Sequence, residues 1–153
     1  MTDVELRDEP YDGPVAQTLI DAVQQEYVNR YGGPDTAPIE PAEFAPPLGR
    51  FVVAYLDNAP VGAGGLRLIE ERTVEVKRMY VVPGARGRGL ARLLLVHLEG
   101  LARGLGATRV LLETGSRQPE AISLYETSGY ERIEGFGHYK CEPGSLSYAK
   151  DLT

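Results

Sequence analysis

The chain has 153 residues, 42% of them apolar and 25% charged, which suits a single domain over 1–153 with its own buried core. Its net charge of −6 argues against a nucleic-acid partner, which would want a basic face, and suits a cationic partner and simple solubility equally well. A lone cysteine, Cys141, excludes a disulfide framework and a clustered metal site; no apolar run approaches the roughly 18 residues of a membrane span, and Met1-Thr-Asp-Val-Glu lacks the basic start and apolar centre of a signal peptide, so the cytoplasm is the expected address.

Val4–Arg7 reads as a short opening strand. Pro14 suits the first helical position, and Val15, Leu19, Ala22, Val23, Glu26 and Tyr27 follow helical spacing until Gly32-Gly33-Pro34 stops the helix near Tyr27 or Tyr31. Residues 34 to 49 hold Pro34, Pro38, Pro41, Pro46 and Pro47 and predict an irregular connection with a short helical turn, of the kind that often carries specificity. Phe51–Leu56 and Pro60–Glu70 read as a hairpin around Asp57-Asn58, with Gly62, Gly64 and Gly65 marking a bulge or a close backbone approach.

The organising stretch begins after the Glu71-Arg72 turn. Val74, Val76, Tyr80, Val81 and Val82 crowd into a strand before Pro83-Gly84. Leu90, Leu94, Leu98, Leu101 and Leu105 then recur at three- and four-residue steps and predict an amphipathic helix, with His97 on its apolar stripe as a core or boundary residue rather than a ligand. Between them lies Arg86-Gly-Arg-Gly-Leu-Ala91, a glycine-bearing loop ending at a helix N-terminus. Orphan N–H groups and the helix dipole favour an anion there, glycines let the backbone approach it, and the two guanidinium groups add charge-assisted bonds. A Walker loop is excluded because no Lys-Ser or Lys-Thr occurs, and a dinucleotide fingerprint beginning at Gly87 meets Arg92 where a small residue is needed.

Arg109–Glu113 is a short strand, expected to lie parallel to the central one by a right-handed crossover. Pro119 and Gly129 bracket a short helix over 119–128. Closing strands are expected over Tyr130–Ile133, continuing into Gly137–Glu142, and over Ser145–Leu152.

Arg86-Gly87-Arg88-Gly89-Leu90-Ala91 resembles the acetyl-coenzyme A signature of the GNAT superfamily of N-acetyltransferases, Gln/Arg-x-x-Gly-x-Gly/Ala. Gln118-Pro-Glu-Ala121-Ile-Ser-Leu124-Tyr125-Glu-Thr-Ser-Gly129-Tyr130 is similar to that family's second motif, with Gln118 where the family has Asn. The resemblance implies an α/β (α+β) fold: a mixed, mostly antiparallel twisted sheet with a splayed parallel strand pair, flanked by helices. It implies acetyl-CoA as cosubstrate and no metal, with the pantetheine arm along Met79, Tyr80 and Val81, the diphosphate on Arg86, Gly87, Arg88, Gly89, Leu90, Ala91 and Arg92, and further contacts from Gln118 and Tyr125. The acceptor it implies is the amine of a small molecule or peptide, attacking directly. An amine of pKa about 10.4 must shed a proton first. Glu75, eleven residues before Arg86, and Glu113 each match a position that a branch of the family uses for that base; Glu75 is preferred, although a strand carboxylate paired with Lys77 or Arg78 is the alternative for it, and a turn cap that for Glu113. Tyr125 is the expected acid for the thiolate, and an amide near Val81 the expected oxyanion donor. Tyr27, Arg30, Tyr31, Arg50, His138 and Tyr139 could line the acceptor side, with Arg30 or Arg78 meeting any acceptor carboxylate. A homodimer is an expectation common in the superfamily, and a coenzyme A-binding sensor without turnover is the alternative function.

Overall fold

A computed structural model describes residues 3–152. The chain runs β1 (Val4–Asp8), α1 (Pro14–Tyr31), β2 (Gly49–Leu56), β3 (Ala59–Glu70), β4 (Thr73–Val81), α2 (Leu90–Gly104), β5 (Arg109–Gly115), α3 (Pro119–Thr127), β6 (Glu131–Ile133) and β7 (Ser145–Asp151). All seven strands form one sheet in the order β1-β2-β3-β4-β5-β7-β6, antiparallel throughout except for β4 and β5. This is the mixed α/β architecture that the resemblance implies. Among the described residues no helix is long and apolar enough to cross a membrane.

The hairpins close as their residue types require. Asp57 and Asn58 both take positive φ, 51° and 64°, the conformation of the two-residue turn whose twist matches its strands. Pro14 opens α1, and Gly32 closes it with φ 84°, its amide bonded to the carbonyl of Val28. The 34–49 connection contains a single 3₁₀ turn, Pro41–Phe44, held by a reciprocal capping box between Glu40 and Glu43. That turn seats Phe44 on the sheet.

Two layers cover the sheet. On one face α2 buries Leu94, Leu95, Leu98 and Ala102 in a cluster with Val74, Val76, Leu112 and Tyr148, while Leu90 at its start packs with Val81 and Ala85. Each such leucine contributes about 1.5–3 kcal/mol. The leucine stripe also carries a carboxylate: Glu99 is buried and receives Tyr130 Oη at 2.8 Å and Lys150 Nζ at 3.1 Å. On the other face α1 packs Ala16, Leu19 and Ile20 with Phe44, Phe51 and Val53. Gly65 makes the room, since a Cβ there would stand 2.8 Å from ring carbons of both Phe44 and Phe51.

The expected strand at Gly137–Glu142 does not form. Residues 134–144 instead fold back on themselves in turns, with a Cβ at Gly135 falling only 2.3 Å from the carbonyl oxygen of Lys140 and Gly137 at φ 70°. A chain turning this tightly cannot extend into a ladder, so β6 is left with three residues.

Candidate functional site

β4 and β5 pair only over Thr73–Val76 and Arg109–Leu112. Beyond that point Lys77–Val81 pairs in the sheet only with β3, and Glu113–Gly115 only with β7, so the two parallel strands part into a wedge. The register of β3 against β4 shifts between Ala63 and Gly65, and Arg78 takes φ 60° opposite the shift: β4 carries a bulge where the wedge opens. The amide of Val82 bonds to Val61 on β3, so by strand alternation the amide and carbonyl of Val81 face the wedge. The carbonyl is taken by Arg86 Nε at 2.8 Å.

On the α2 side of the wedge lies a groove of about 280 Å³. Met79, Tyr80, Val81, Arg86, Gly87 and Gly89 line it, together with Leu90, Ala91, Arg92, Gln118 and Tyr125. Gly87 and Gly89 take φ 80° and 77° and have no atom near an added Cβ, so the loop is open toward solvent and its shape depends on glycine. Gly89 is the residue on which α2 begins. Arg86 stands over the Tyr80 ring, and its Nη2 meets Glu26 Oε2 at 2.8 Å. Arg92 reaches the end of α3 through Thr127 and Ser128. Arg88 is the one loop arginine the groove does not include; it is exposed. Tyr125 is buried between the rings of Tyr130 and Tyr148, and burial pushes its phenol well above the usual range, with Tyr27 adding to the effect.

The other side of the wedge holds a cavity of about 490 Å³ walled by Tyr27, Tyr31 and Tyr139 and floored by Glu75, Lys77, Arg78 and Glu113. Gln118 borders both spaces. Glu75 is buried, with Arg67 Nη2 at 3.0 Å and Lys77 Nζ at 3.9 Å, so the pairing foreseen with a neighbouring cation is present and Arg67 is its stronger partner. Glu113 has no ion-pair partner among the described residues. Burial raises its carboxyl above the ordinary value, while Lys77 and Ser145 pull the other way. Of the other residues expected on the acceptor side, Arg50 pairs with Asp8, and Arg30 with Glu26 and Glu120. His138 packs edge-on against Tyr139.

Asp35 was not foreseen and is central. It accepts from Arg78 Nη1 at 2.5 Å, Lys77 Nζ at 3.2 Å, Tyr139 Oη at 2.8 Å and the Ala37 amide at 2.9 Å. Burial opposes its ionisation, but Lys77 and Arg78 outweigh that and hold its carboxyl far below the usual carboxylate range. Nothing local in Gly33-Pro34-Asp35-Thr36 tells that this turn returns to cap β4.

The sequence profile of the acetyltransferase (GNAT) family matches residues 16–130. The chain is 40% identical over 143 residues to the IAA acetyltransferase of Azospirillum brasilense, covering 88% of this chain and 93% of that protein. It superposes with a TM-score of 0.82 and 29% identity on a proposed acyl-CoA N-acyltransferase from Klebsiella pneumoniae, over 98% of both chains. PaiA N-acetyltransferase of Thermoplasma acidophilum, solved in complex with coenzyme A, shares the fold at a TM-score of 0.75 and 15% identity, covering 97% of this chain and 99% of that one.

Proposed function

The chain belongs to the acetyltransferase (GNAT) family and is an N-acetyltransferase by that membership, and from this premise we propose that it acetylates a small cationic amine at the meeting point of its groove and its cavity. The observation that carries the reading is the parting of β4 and β5 after Val76 and Leu112, which leaves a strand edge facing a groove that ends in a glycine loop. In this reading acetyl-CoA lies along that groove, and a protein of the same fold from Thermoplasma was solved in complex with coenzyme A. Met79 and Val81 present backbone to the pantetheine arm as an added strand would. The first turn of α2 with Arg86, Gly87, Gly89 and Arg92 receives the diphosphate.

Glu113 takes the proton of the acceptor ammonium. A carboxyl whose pKa burial raises, and which makes no ion pair among the described residues, is better matched to that task than Glu75, whose oxygens face Arg67 and Lys77. The neutral amine attacks the thioester carbonyl, the Val81 amide donates to its oxygen as charge builds, and the carbon–sulfur bond breaks as the acetylated nitrogen sheds its remaining excess proton, which restores the Tyr125 phenol once that group has protonated the sulfur. Tyr125 returns a proton to the sulfur. Burial makes its phenol a reluctant donor, but a thiolate at the same dry spot is raised by the same cause, so the difference between the two governs the transfer.

The charges of the cavity favour an acceptor without a carboxylate. Lys77 and Arg78 are both held by Asp35, and Arg30 by Glu26 and Glu120, so each cation foreseen for an acceptor carboxylate already has a partner. Glu113 and the exposed Glu142 at the rim have none among the described residues. A diamine therefore fits better than an amino acid.

The test is free-thiol release from acetyl-CoA with a panel of diamines and amino acids, corrected for the exposed Cys141. Diamines should turn over with the highest kcat/KM. Glu113→Gln should remove the acid limb of the pH profile, and Tyr125→Phe should lower kcat by roughly tenfold or more. A chain that binds coenzyme A but releases thiol with no amine is the sensor and not the enzyme.

A further inference from the structure

Arg86 is the first residue of the glycine loop and the cation best placed for the donor's diphosphate, yet in the free protein it is already engaged. Its Nη2 meets Glu26 Oε2 at 2.8 Å, and its Nε meets the Val81 carbonyl at 2.8 Å. Glu26 lies on α1 and itself borders the donor groove, as does Glu120 at the start of α3. The two carboxylates share Arg30, whose Nη2 stands 2.8 Å from Glu26 and 2.6 Å from Glu120. A run Arg86–Glu26–Arg30–Glu120 thus crosses the groove from the glycine loop to α3. Arg30 and Arg117 fasten its far end by each donating to the other's carbonyl at 2.8 Å.

We propose that Glu26 is an internal competitor for the donor's diphosphate: its carboxylate occupies, in the free enzyme, the guanidinium that the diphosphate must take. The inference rests on the donor-groove reading above and adds a residue that neither sequence motif contains. A diphosphate arriving at Arg86 brings its charge within a few ångströms of the Glu26 carboxylate, and that repulsion weakens the Glu26–Arg86 pair while Glu26 keeps Arg30. The same exchange returns Arg86 to Glu26 when coenzyme A leaves. Glu26 therefore weakens donor binding and speeds release of the product coenzyme A. The pair is partly exposed, at 38% and 22%, so its strength is that of a screened surface contact and the effect is correspondingly modest.

The experiment is calorimetric titration of coenzyme A into the full chain and into Glu26→Gln, Arg86→Gln and the double variant. Glutamine keeps the length of the side chain and its place on α1. Glu26→Gln should lower the Kd for coenzyme A about threefold to tenfold, where tenfold is about 1.4 kcal/mol. In the Arg86→Gln background the gain should shrink to less than twofold, because the contested group is gone. The KM for S-acetylpantetheine, which lacks the diphosphate, should be the same in Glu26→Gln as in the original chain. Unchanged or weaker binding of coenzyme A to Glu26→Gln overturns the proposal, as does an equal gain for S-acetylpantetheine. Failure of coenzyme A to bind any of the four proteins instead overturns the donor-groove reading on which the proposal stands.

Discussion

Replacing Asp35 by Asn tests whether the cavity floor is held by charge. Its side chain is 11% exposed, and those of Lys77 and Arg78 are 9% and 4%. Removing one member of a buried ion pair costs about 3–5 kcal/mol, because the partner keeps its desolvation penalty and loses its compensation. Asn retains a carbonyl oxygen for the Ala37 amide and the Tyr139 hydroxyl, so the loss belongs near the lower end, about 3 kcal/mol. Against a total stability of about 5–15 kcal/mol this is large. At an m-value of about 2 kcal/mol/M the urea midpoint should fall by about 1.5 M with the slope unchanged.

The pH dependence separates charge from packing. The folded-state pKa of Asp35 is depressed, so its contribution is fully present above the unfolded carboxylate value of about 3.9 and is lost as pH falls through the folded one. The stability gap between the original chain and Asp35→Asn should therefore be level from pH 5 to 8 and narrow below about pH 4. Urea melts at four pH values measure it. A gap under 1 kcal/mol at pH 7, or one that persists undiminished into acid, refutes the assignment of this contact as an ion pair that holds the floor.

Two glycines give opposite expectations from the same substitution. Gly65→Ala drives a methyl to 2.8 Å from the Phe44 and Phe51 rings, which Tyr11 holds by stacking on the first and meeting the second edge-on, so overpacking should cost about 1–3 kcal/mol and lower the thermal midpoint by roughly 2–12 °C; an unchanged midpoint would show that the rings can give way. Gly115→Ala places its methyl 1.9 Å from Tyr31 Oη, the far end of a movable side chain. The fold should hold, Tyr31 should leave its seat, and the acceptor KM should rise with the coenzyme A Kd unchanged; equal loss of both would mean that the wedge itself has shifted.

What the sequence shows well is whatever repeats or punctuates locally. The leucines of α2 fall on one face because a helix has a period, and Pro14, Pro119, Gly32 and Gly129 mark ends because proline lacks an amide hydrogen and glycine tolerates positive φ. The two motifs place Gly87, Gly89 and Tyr125 along one groove for the same reason: each motif lies on a contiguous strand–loop–helix joint. Pairings made across long stretches of chain leave no such trace. Arg78 reaches Asp35 across 43 residues and Tyr139 reaches it across 104, and neither spacing has a period to detect. Glu99 hides for a different reason. It sits one step from Leu98 on an apolar stripe, and only the distant Tyr130 and Lys150 make its burial tolerable. Residues 137–142 alternate in a way that suits a strand, but the closure of Gly135 on Lys140 overrides that preference.

The division of labour between elements follows from where these contacts lie. Glu113 ends β5, and Tyr125 lies one helical turn or more into α3; between them the Gln118 amide bonds to the Gly115 carbonyl at 3.1 Å, and Ser116 to Gly144 at 2.9 Å. The proposed base and acid are thus joined by a short, hydrogen-bonded turn on the sheet. The path between them runs through this turn and not through α1. α1 instead contributes wall residues to both spaces, with Glu26 on the proposed donor side and Tyr27 and Tyr31 on the proposed acceptor side, and that helix is fastened to the β5–α3 turn through Arg30 and Arg117. Changes confined to α1 should therefore act on Kd and KM, and changes to Glu113 and Tyr125 themselves on kcat, because the first set moves the walls and the second alters the reacting groups; Gly115→Ala belongs with the first because its methyl displaces Tyr31 of α1.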